Sequence, residues 1–294
     1  MPLKDLLLAL VVIVAWGLNF VVIKVGLDGL PPMLLGALRF VLVAIPAVFF
    51  IRRPQLPWRW LIAYGSTISL GQFAFLFEAM HNGMPPGLAS LVLQSQAFFT
   101  MIFAAVFLGE RLRAASVLGL LVAAGGLALI GSENGSHVPL FALLLTLCGG
   151  ACWAMGNIIT RRFGKIDLVA LVIWGALIPP LPFLALSWYL EGPALIEASL
   201  RNIGLHSILA LIYLAAIATM LGYGLWSRLL SRYPAGKVAP FSLLVPVVGL
   251  TSSAWLLDER LSAIQCWGGV LVMFGLLINV FGPRLREVFR TAQA

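Results

Sequence analysis

The sequence predicts an all-α membrane protein of ten transmembrane helices, arranged as two inverted five-helix repeats. Three observations lead there. The 294-residue chain is 61% apolar and 10% charged, with a mean hydropathy of +1.03; a soluble domain carries about 25% charged residues. The apolar residues gather into ten runs, each close to the roughly 20 residues a helix needs to cross the hydrocarbon core. Several short patterns also recur at a single offset of 149 residues. Nineteen Lys and Arg with eleven Asp and Glu cannot coat a soluble particle of this size, and apolar content this high excludes disorder. A membrane β-barrel would need alternation with a polar lumen face, which is absent.

In chain order the runs are 6–27, 32–51, 60–80, 86–108, 114–131, 138–160, 168–190, 205–227, 236–257 and 263–282. The first is too long for a signal-peptide core, has no small-x-small site after it, and carries Lys24 near its end, so it reads as a span. The connections carry breakers: Leu30-Pro31-Pro32 before the second run, Arg52-Arg53-Pro54 after it, Met84-Pro85-Pro86 before the fourth, Ser132 to Ser136 after the fifth, and Arg232-Tyr233-Pro234 before the ninth. Backbone groups in lipid must bond internally, so such runs form helices.

Placing the N-terminus inside assigns fifteen basic residues to the inner side: Lys4, Arg52, Arg53, Arg59, Arg111, Arg113, Arg161, Arg162, Lys165, Arg228, Arg232, Lys237, Arg284, Arg286 and Arg290. The outer side receives Arg201 and Arg260. The positive-inside rule therefore predicts ten spans with both termini cytoplasmic. The net charge of +8 belongs to these loops and not to a nucleic-acid site. Cys148, Cys152 and Cys266 lie in apolar runs and read as small packing residues.

The offset of 149 residues relates Pro85-Pro86-Gly87 to Pro234-Ala235-Gly236 and Glu110-Arg111-Leu112 to Glu259-Arg260-Leu261. Tyr64/Tyr213, Gly119/Gly268 and Gly126/Gly275 obey it too. Trp16 and Asn19 in the first run are echoed, at other offsets, by Trp153 and Asn157 in the sixth. Two halves of five spans follow, residues 1–131 and 138–283, with a basic cytoplasmic tail over 284–294. Five is odd, so the second half enters the membrane inverted. Inverted repeats are the architecture of alternating-access transporters, with substrate near mid-depth between the halves.

Charges within a membrane are costly and mark function by default. Lys24 either snorkels to the outer interface or lines the pathway. Arg39 either pairs with Glu78 or with carbonyls, or binds an anionic group of a substrate. Glu78 is either an interfacial carboxylate or the group that exchanges protons with the transported compound. Among uncharged residues, Asn19 shares a helix face with Trp16, Phe20 and Ile23, and Trp153 and Asn157 share one on the sixth run. Both asparagines either line a cavity or bridge helices. Gln94 and Gln96 are about 200° apart around a helix, so at most one faces a central cavity. Thr219, Tyr223 and Trp226 form one face, either a lipid-side belt or a cavity wall, and Tyr223 lies too deep for the interface, which favours the cavity. In the ninth run, Pro240 and Pro246 interrupt the helix, and Pro246 frees the carbonyl of Ser242. The equivalent of Pro246 in the first half is Ala97, so the break is expected on one side only. Glu110-Arg111 and Glu259-Arg260, at opposite faces, read as capping or gate contacts.

The chain resembles the drug/metabolite transporter superfamily, in particular its ten-span exporters with two EamA domains. Trp16-Gly17-Leu18-Asn19-Phe20 through Lys24-Val25-Gly26, Gly87-Leu88-Ala89-Ser90-Leu91, Gly109-Glu110-Arg111-Leu112, Leu243-Leu244-Val245-Pro246 and Asp258-Glu259-Arg260-Leu261 carry the resemblance, which spans essentially the whole chain. Gln94-Ser95-Gln96-Ala97-Phe98-Phe99 and Val245-Pro246-Val247-Val248-Gly249 are most similar to the bacterial branch that exports O-acetylserine and cysteine. The resemblance implies a bacterial inner-membrane secondary exporter of small amino-acid-related metabolites, with the bilayer as its environment and protons as a candidate coupling ion. Broader export of aromatic amino acids or amphipathic drugs stays open, as does a channel or lipid flippase. Oligomeric state is not read from the sequence. No His-Glu-x-x-His, Gly-x-Ser-x-Gly or Gly-x-x-x-x-Gly-Lys-Ser/Thr pattern occurs, so no enzyme, metal site, cofactor or ATPase is expected. His81, His137 and His206 all fall at outer ends.

Overall fold

Each proline pair in the sequence opens a helix. Pro31-Pro32, Pro85-Pro86 and Pro179-Pro180 all place their second proline at the first helical position, where the missing N–H costs nothing and the fixed φ suits the helix. Asp167 starts another by accepting from the N–H groups of Val169 (2.9 Å) and Ala170 (3.1 Å). Gly109 ends a helix at φ 70°, a left-handed C-terminal position.

The computed structural model describes residues 1–132, 138–163 and 166–292. His137, Lys165 and the side chains of the basic tail over 284–294 lie outside the described residues. Among those described, all regular structure is helical. Nine helices are long and apolar enough to cross a membrane: α1 (Leu3–Leu27), α3 (Trp58–His81), α4 (Pro86–Leu108), α5 (Ala114–Gly131), α6 (Leu140–Phe163), α7 (Leu168–Glu191), α9 (Leu205–Arg232), α10 (Ala239–Leu256) and α11 (Ala263–Gly282 within a longer helix). The apolar α2 (Pro32–Val48) is shorter, at about 25 Å by helix rise. A short turn over Ala235–Val238 precedes α10, and a further helix, α8 (Pro193–Arg201), was not anticipated. It has no buried residue and joins α7 to α9 at the end of the bundle opposite most of the arginines.

The two halves interlock. α1 packs on α9 and α10, while its counterpart α6 packs on α3 and α4. The first helix of each half is thus held by the other half. α5 and α11 form a separate antiparallel seam. A Cβ added to Gly119 would lie 2.5 Å from the carbonyl oxygen of Gly275, and one on Gly126 would lie 2.5 Å from that of Gly268. The 149-residue offset equates Gly119 with Gly268 and Gly126 with Gly275. The contacts are therefore crosswise, each glycine meeting the repeat-mate of the other. Small residues let the two backbones touch, which is how helices associate where no hydrophobic force drives them together.

The helices are irregular at matching places. α3 is π-helical over Gly65–Gly71 and α9 over Tyr213–Leu221; the offset of 149 carries 65–71 onto 214–220. α4 tightens to a 3₁₀ turn over Leu93–Ser95 and α10 over Ala239–Leu244; the offset carries 93–95 onto 242–244. The one-sided break expected from Pro246 and Ala97 is thereby corrected. Both halves carry the 3₁₀ turn, and the proline is only one means of making it. In the widened π turns, hydroxyls take up carbonyls: Thr67 donates to Ala63 (2.8 Å) and Thr219 to Leu214, five residues back (2.8 Å).

Candidate functional site

Buried polar side chains lie among the irregular segments: Gln94, in the 3₁₀ turn of α4, meets Ser242 in that of α10, and Arg39 meets Thr219 in the π segment of α9. Arg39, in the middle of α2, is 3% exposed. Its Nη2 donates to the Thr219 hydroxyl on α9 at 3.2 Å. Its guanidinium carbon lies 4.0 Å from the ring centre of Phe73 on α3 and 5.5 Å from that of Phe40. Nε and Nη1 have no partner. A guanidinium at the centre of a spanning helix costs about 3 kcal/mol, and cation–π contact with a desolvated ring offsets about 2.

The pairing of Arg39 with Glu78 allowed by the sequence does not form. Glu78 lies in the last turn of α3 and accepts from the Asn82 side chain at 2.8 Å. Lys24 pairs with Asp28 at 3.3 Å at the end of α1, with both side chains well exposed, and no hydrogen bond or ion pair among the described residues joins it to the cluster around Arg39.

Around Arg39, the indole N–H of Trp16 on α1 donates to the carbonyl of Ala218 at 2.9 Å, next to Thr219. The Trp16 ring meets Tyr223 at 5.2 Å and Trp226 at 5.3 Å between centroids, so α1 and the α9 face predicted from Thr219, Tyr223 and Trp226 form one aromatic wall. Tyr213 donates its hydroxyl to Ala15 at 3.0 Å, which ties α9 to α1 a second time. Asn19 Oδ1 and Gln72 Oε1 are buried without a donor. A cleft of about 190 Å³ between α2, α7 and α9 runs from Ala47, Phe50 and Ile51 at the arginine-bearing end to Thr219 and Tyr223.

On the other flank both glutamines of α4 bridge helices. Gln94 Nε2 donates to the Ser242 carbonyl at 3.1 Å, the acceptor that Pro246 leaves free. Gln96 Oε1 accepts from Asn157 on α6 at 3.0 Å, and Asn157 also donates to Thr100 at 3.2 Å. The Ser242 hydroxyl bonds only within its own helix, to Ala239 at 2.7 Å. Trp153 is half-buried and packs against the apolar core. The Gln94–Ser242 bond gives a direct test. Gln94→Ala is expected to cost about 1 kcal/mol. In a Pro246→Ala background the cost should fall close to zero, because the substituted alanine supplies its own backbone N–H to the same carbonyl. Unfolding of the four variants in mixed detergent measures the coupling, and equal costs in both backgrounds would refute it.

The end of the bundle away from the arginines is fastened by two carboxylates of the second half. Glu191, at the end of α7, accepts from the N–H groups of Met33 (2.6 Å) and Leu34 (3.2 Å) at the start of α2, and from the Ser187 hydroxyl (2.5 Å). Glu259, between α10 and α11, accepts from the N–H of Gly87 at the start of α4 (3.0 Å). Each carboxylate occupies the positive end of a helix. Burial pushes the Glu259 carboxyl up from its ordinary value, while the Gly87 N–H opposes this. At the arginine-bearing end the repeat-mate of Glu259 behaves differently: Glu110 pairs with Arg161 at 3.2 Å in an exposed position. There, too, Asp5 accepts from Arg232 (3.2 Å) and from the Tyr233 hydroxyl (2.5 Å), and the bond to Asp5 raises the Tyr233 phenol. The sequence reading of Glu110 and Glu259 as end contacts anticipated these; Glu191 and Gln72 it missed. The spacing Ser187–Glu191, just before Gly192-Pro193, is the local signal for the first.

The profile of the EamA-like transporter family matches residues 3–132 and 140–281. A protein named "Probable amino-acid metabolite efflux pump" from Escherichia coli (strain K12) is 52% identical over 296 residues, covering 99% of each chain. One of the same name from Salmonella typhimurium (strain LT2) is 52% identical over 298 residues, covering 99% of this chain and 100% of its own. The "Uncharacterized inner membrane transporter YedA" of Escherichia coli (strain K12) is 24% identical over 97% of this chain and 92% of its own. A solved crystal structure shares the fold, with a TM-score of 0.64 at 22% identity over 97% of this chain and 99% of that one. With a matching profile across both halves and full-length relatives at half identity, the chain belongs to the EamA-like transporter family.

Proposed function

We propose that this protein is an inner-membrane exporter of amino-acid metabolites of the cysteine and O-acetylserine type, and that it works by alternating access. The observation that carries the proposal is the uncompensated Arg39 at mid-depth, where irregular helix segments of both halves meet. A transporter binds its substrate at such a place. The full-length relatives named as amino-acid metabolite efflux pumps support the substrate class, and the inner-membrane transporter among the relatives supports the location. The arginine-bearing end is the cytoplasmic one in this reading, with both termini on that side, and residues 1–131 and 138–283 are the two inverted halves. The pathway is lined by Asn19, Arg39, Thr219, Tyr223 and Trp226. Gln94, Gln96, Trp153, Asn157, Pro240 and Pro246 hold the helices that move.

The difference between the two ends supports alternation. Glu259 holds the outer start of α4, while Glu110 is bonded outside the equivalent inner joint. The outer start of α4 is thus held by a partly buried carboxylate, whereas the inner end is held by the exposed Glu110–Arg161 pair and by the Asp5–Arg232 pair. Opening outward would release Glu259 from Gly87. Protons supply the driving ion in this reading. Glu78 is one carboxylate that could carry them, and Glu259, buried and periodically released, is a second.

The test is direct. Cells producing the protein should accumulate more cysteine and O-acetylserine in the medium than matched cells without it, and Glu78→Gln and Glu259→Gln should show whether a pH gradient still accelerates export. No excess of either compound would refute the cysteine and O-acetylserine assignment; no excess of any amino acid would refute export itself.

A further inference from the structure

Among the described residues no carboxylate pairs with Arg39, and the nearest along the chain are committed elsewhere, Asp28 to Lys24 and Asp5 to Arg232 and Tyr233. Glu191 holds the start of Arg39's own helix, and Glu78 is bonded within the last turn of α3. Thr219 takes one guanidinium nitrogen, and the face of Phe73 covers the group. Nε and Nη1 remain as buried donors without an acceptor. Two buried amide oxygens, Asn19 Oδ1 on α1 and Gln72 Oε1 on α3, are acceptors without a donor. A buried group left unsatisfied in this way needs an explanation, and an absent ligand supplies one. Here the missing complements are an anion for Arg39 and a cationic donor for the two amides.

We propose that Arg39 is the carboxylate anchor of the transport site: it binds the α-carboxylate of the exported amino-acid metabolite, and Asn19 and Gln72 receive the α-ammonium. This rests on the exporter reading and names the part of the substrate that is recognised. A molecule with both charges on one carbon carries the two complements these groups lack, an anion for Arg39 and a donor for the amides. Its side chain then projects along the cleft that leads from Thr219 and Tyr223 to the cytoplasmic end. That cleft of about 190 Å³ holds roughly six waters' worth of volume, which suits a short side chain. The Phe73 ring fixes the guanidinium plane, so the anchor is oriented before the ligand arrives. Recognition through the common zwitterionic head would let one site take both cysteine and O-acetylserine, since they differ only beyond the β-carbon.

The experiment uses the full-length protein in liposomes preloaded with cysteine, measuring uptake of labelled cysteine by counterflow. Competitors are unlabelled cysteine, cysteine methyl ester and cysteamine; the last two lack a carboxylate. The wild type should prefer the acid by at least about tenfold, since a site built for a charged group rejects analogues that lack it. Arg39→Gln should lose this preference, and Arg39→Lys should retain part of it. Asn19→Leu should weaken cysteine competition and leave the acid-to-ester ratio unchanged in sense. A structural role for Arg39 would lower the amount of active carrier and leave the ratio intact. An Arg39→Gln carrier with the wild-type ratio would overturn the proposal. Should Arg39→Gln fail to fold, the wild type still decides: counterflow inhibited equally by acid and ester overturns it. Wild-type vesicles with no counterflow of any amino acid would overturn the exporter reading beneath it, a result distinct from counterflow without discrimination.

Discussion

Gly126→Ala is expected to destabilise the protein by about 2–3 kcal/mol, whereas Gly125→Ala, one residue away, is expected to be neutral or to stabilise it by up to about 1 kcal/mol. The two glycines differ in what a Cβ would meet. At Gly125 there is nothing within 4 Å; at Gly126 the new atom would lie 2.5 Å from the Gly268 carbonyl oxygen and 2.9 Å from Leu271 and from the Val272 N–H. The obstacle is largely backbone, so no rotamer change relieves it, and α5 must move away from α11. Gly119→Ala should behave in the same way, because Gly275 lies as close to it. Unfolding in mixed detergent, followed by circular dichroism, measures the contrast. Equal stability of the Gly125 and Gly126 variants would show that the seam is not closely packed.

Glu191→Ala is expected to cost about 3 kcal/mol, because two backbone donors at the start of α2 lose a charged acceptor in a partly buried place. Glu191→Gln keeps the shape and one acceptor, and should cost roughly half as much. Unfolding of the purified variants tests both, and a Glu191→Ala variant as stable as wild type would refute the clasp. Glu259 adds a pH signature. Burial holds its folded-state carboxyl above 4.5, so the folded protein binds this proton more tightly than the unfolded chain does. The stability it contributes is complete below pH 4.5 and is lost as the pH rises through the raised value. Glu259→Gln, which is uncharged throughout, should remove that decline; parallel stability-versus-pH curves for the two proteins would contradict it.

The spans were legible because hydropathy and loop charge report directly on the bilayer. Pro31-Pro32 and Pro85-Pro86 marked helix starts within a residue. The repeats were legible from the 149-residue offset, since Gly119, Gly126 and their mates are constrained by the same close approach. The irregular segments were not. A π or 3₁₀ turn is a change in which carbonyl each N–H reaches, and apolar residues such as Leu93 or Leu214 fit any of them. Pro246 exposed one instance, and it misled about symmetry because the other half tightens without a proline. In the site, Arg39 and Tyr223 were legible as residues too deep for an interface, and Thr219 and Trp16 through the helix faces they share with Tyr223 and Asn19. Gln94 and Gln96 were legible only as candidates, because periodicity gives the direction of a side chain and not the neighbour that fills it. Glu191 was hidden, since a carboxylate at a span end looks like any solvated charge until α2's start is brought beside it.

The crosswise glycine seam carries a consequence for assembly. In a two-fold dimer the same patch serves on both partners, each residue meeting its mate's neighbour. Gly119 against Gly275 and Gly126 against Gly268 reproduce that relation within one polypeptide. The two halves are therefore joined as an antiparallel homodimer would be, through a self-complementary face, and the linking peptide adds proximity without specifying the fit. Produced as two separate chains in the same membrane, residues 1–132 and 138–292 already possess the surface by which to find one another.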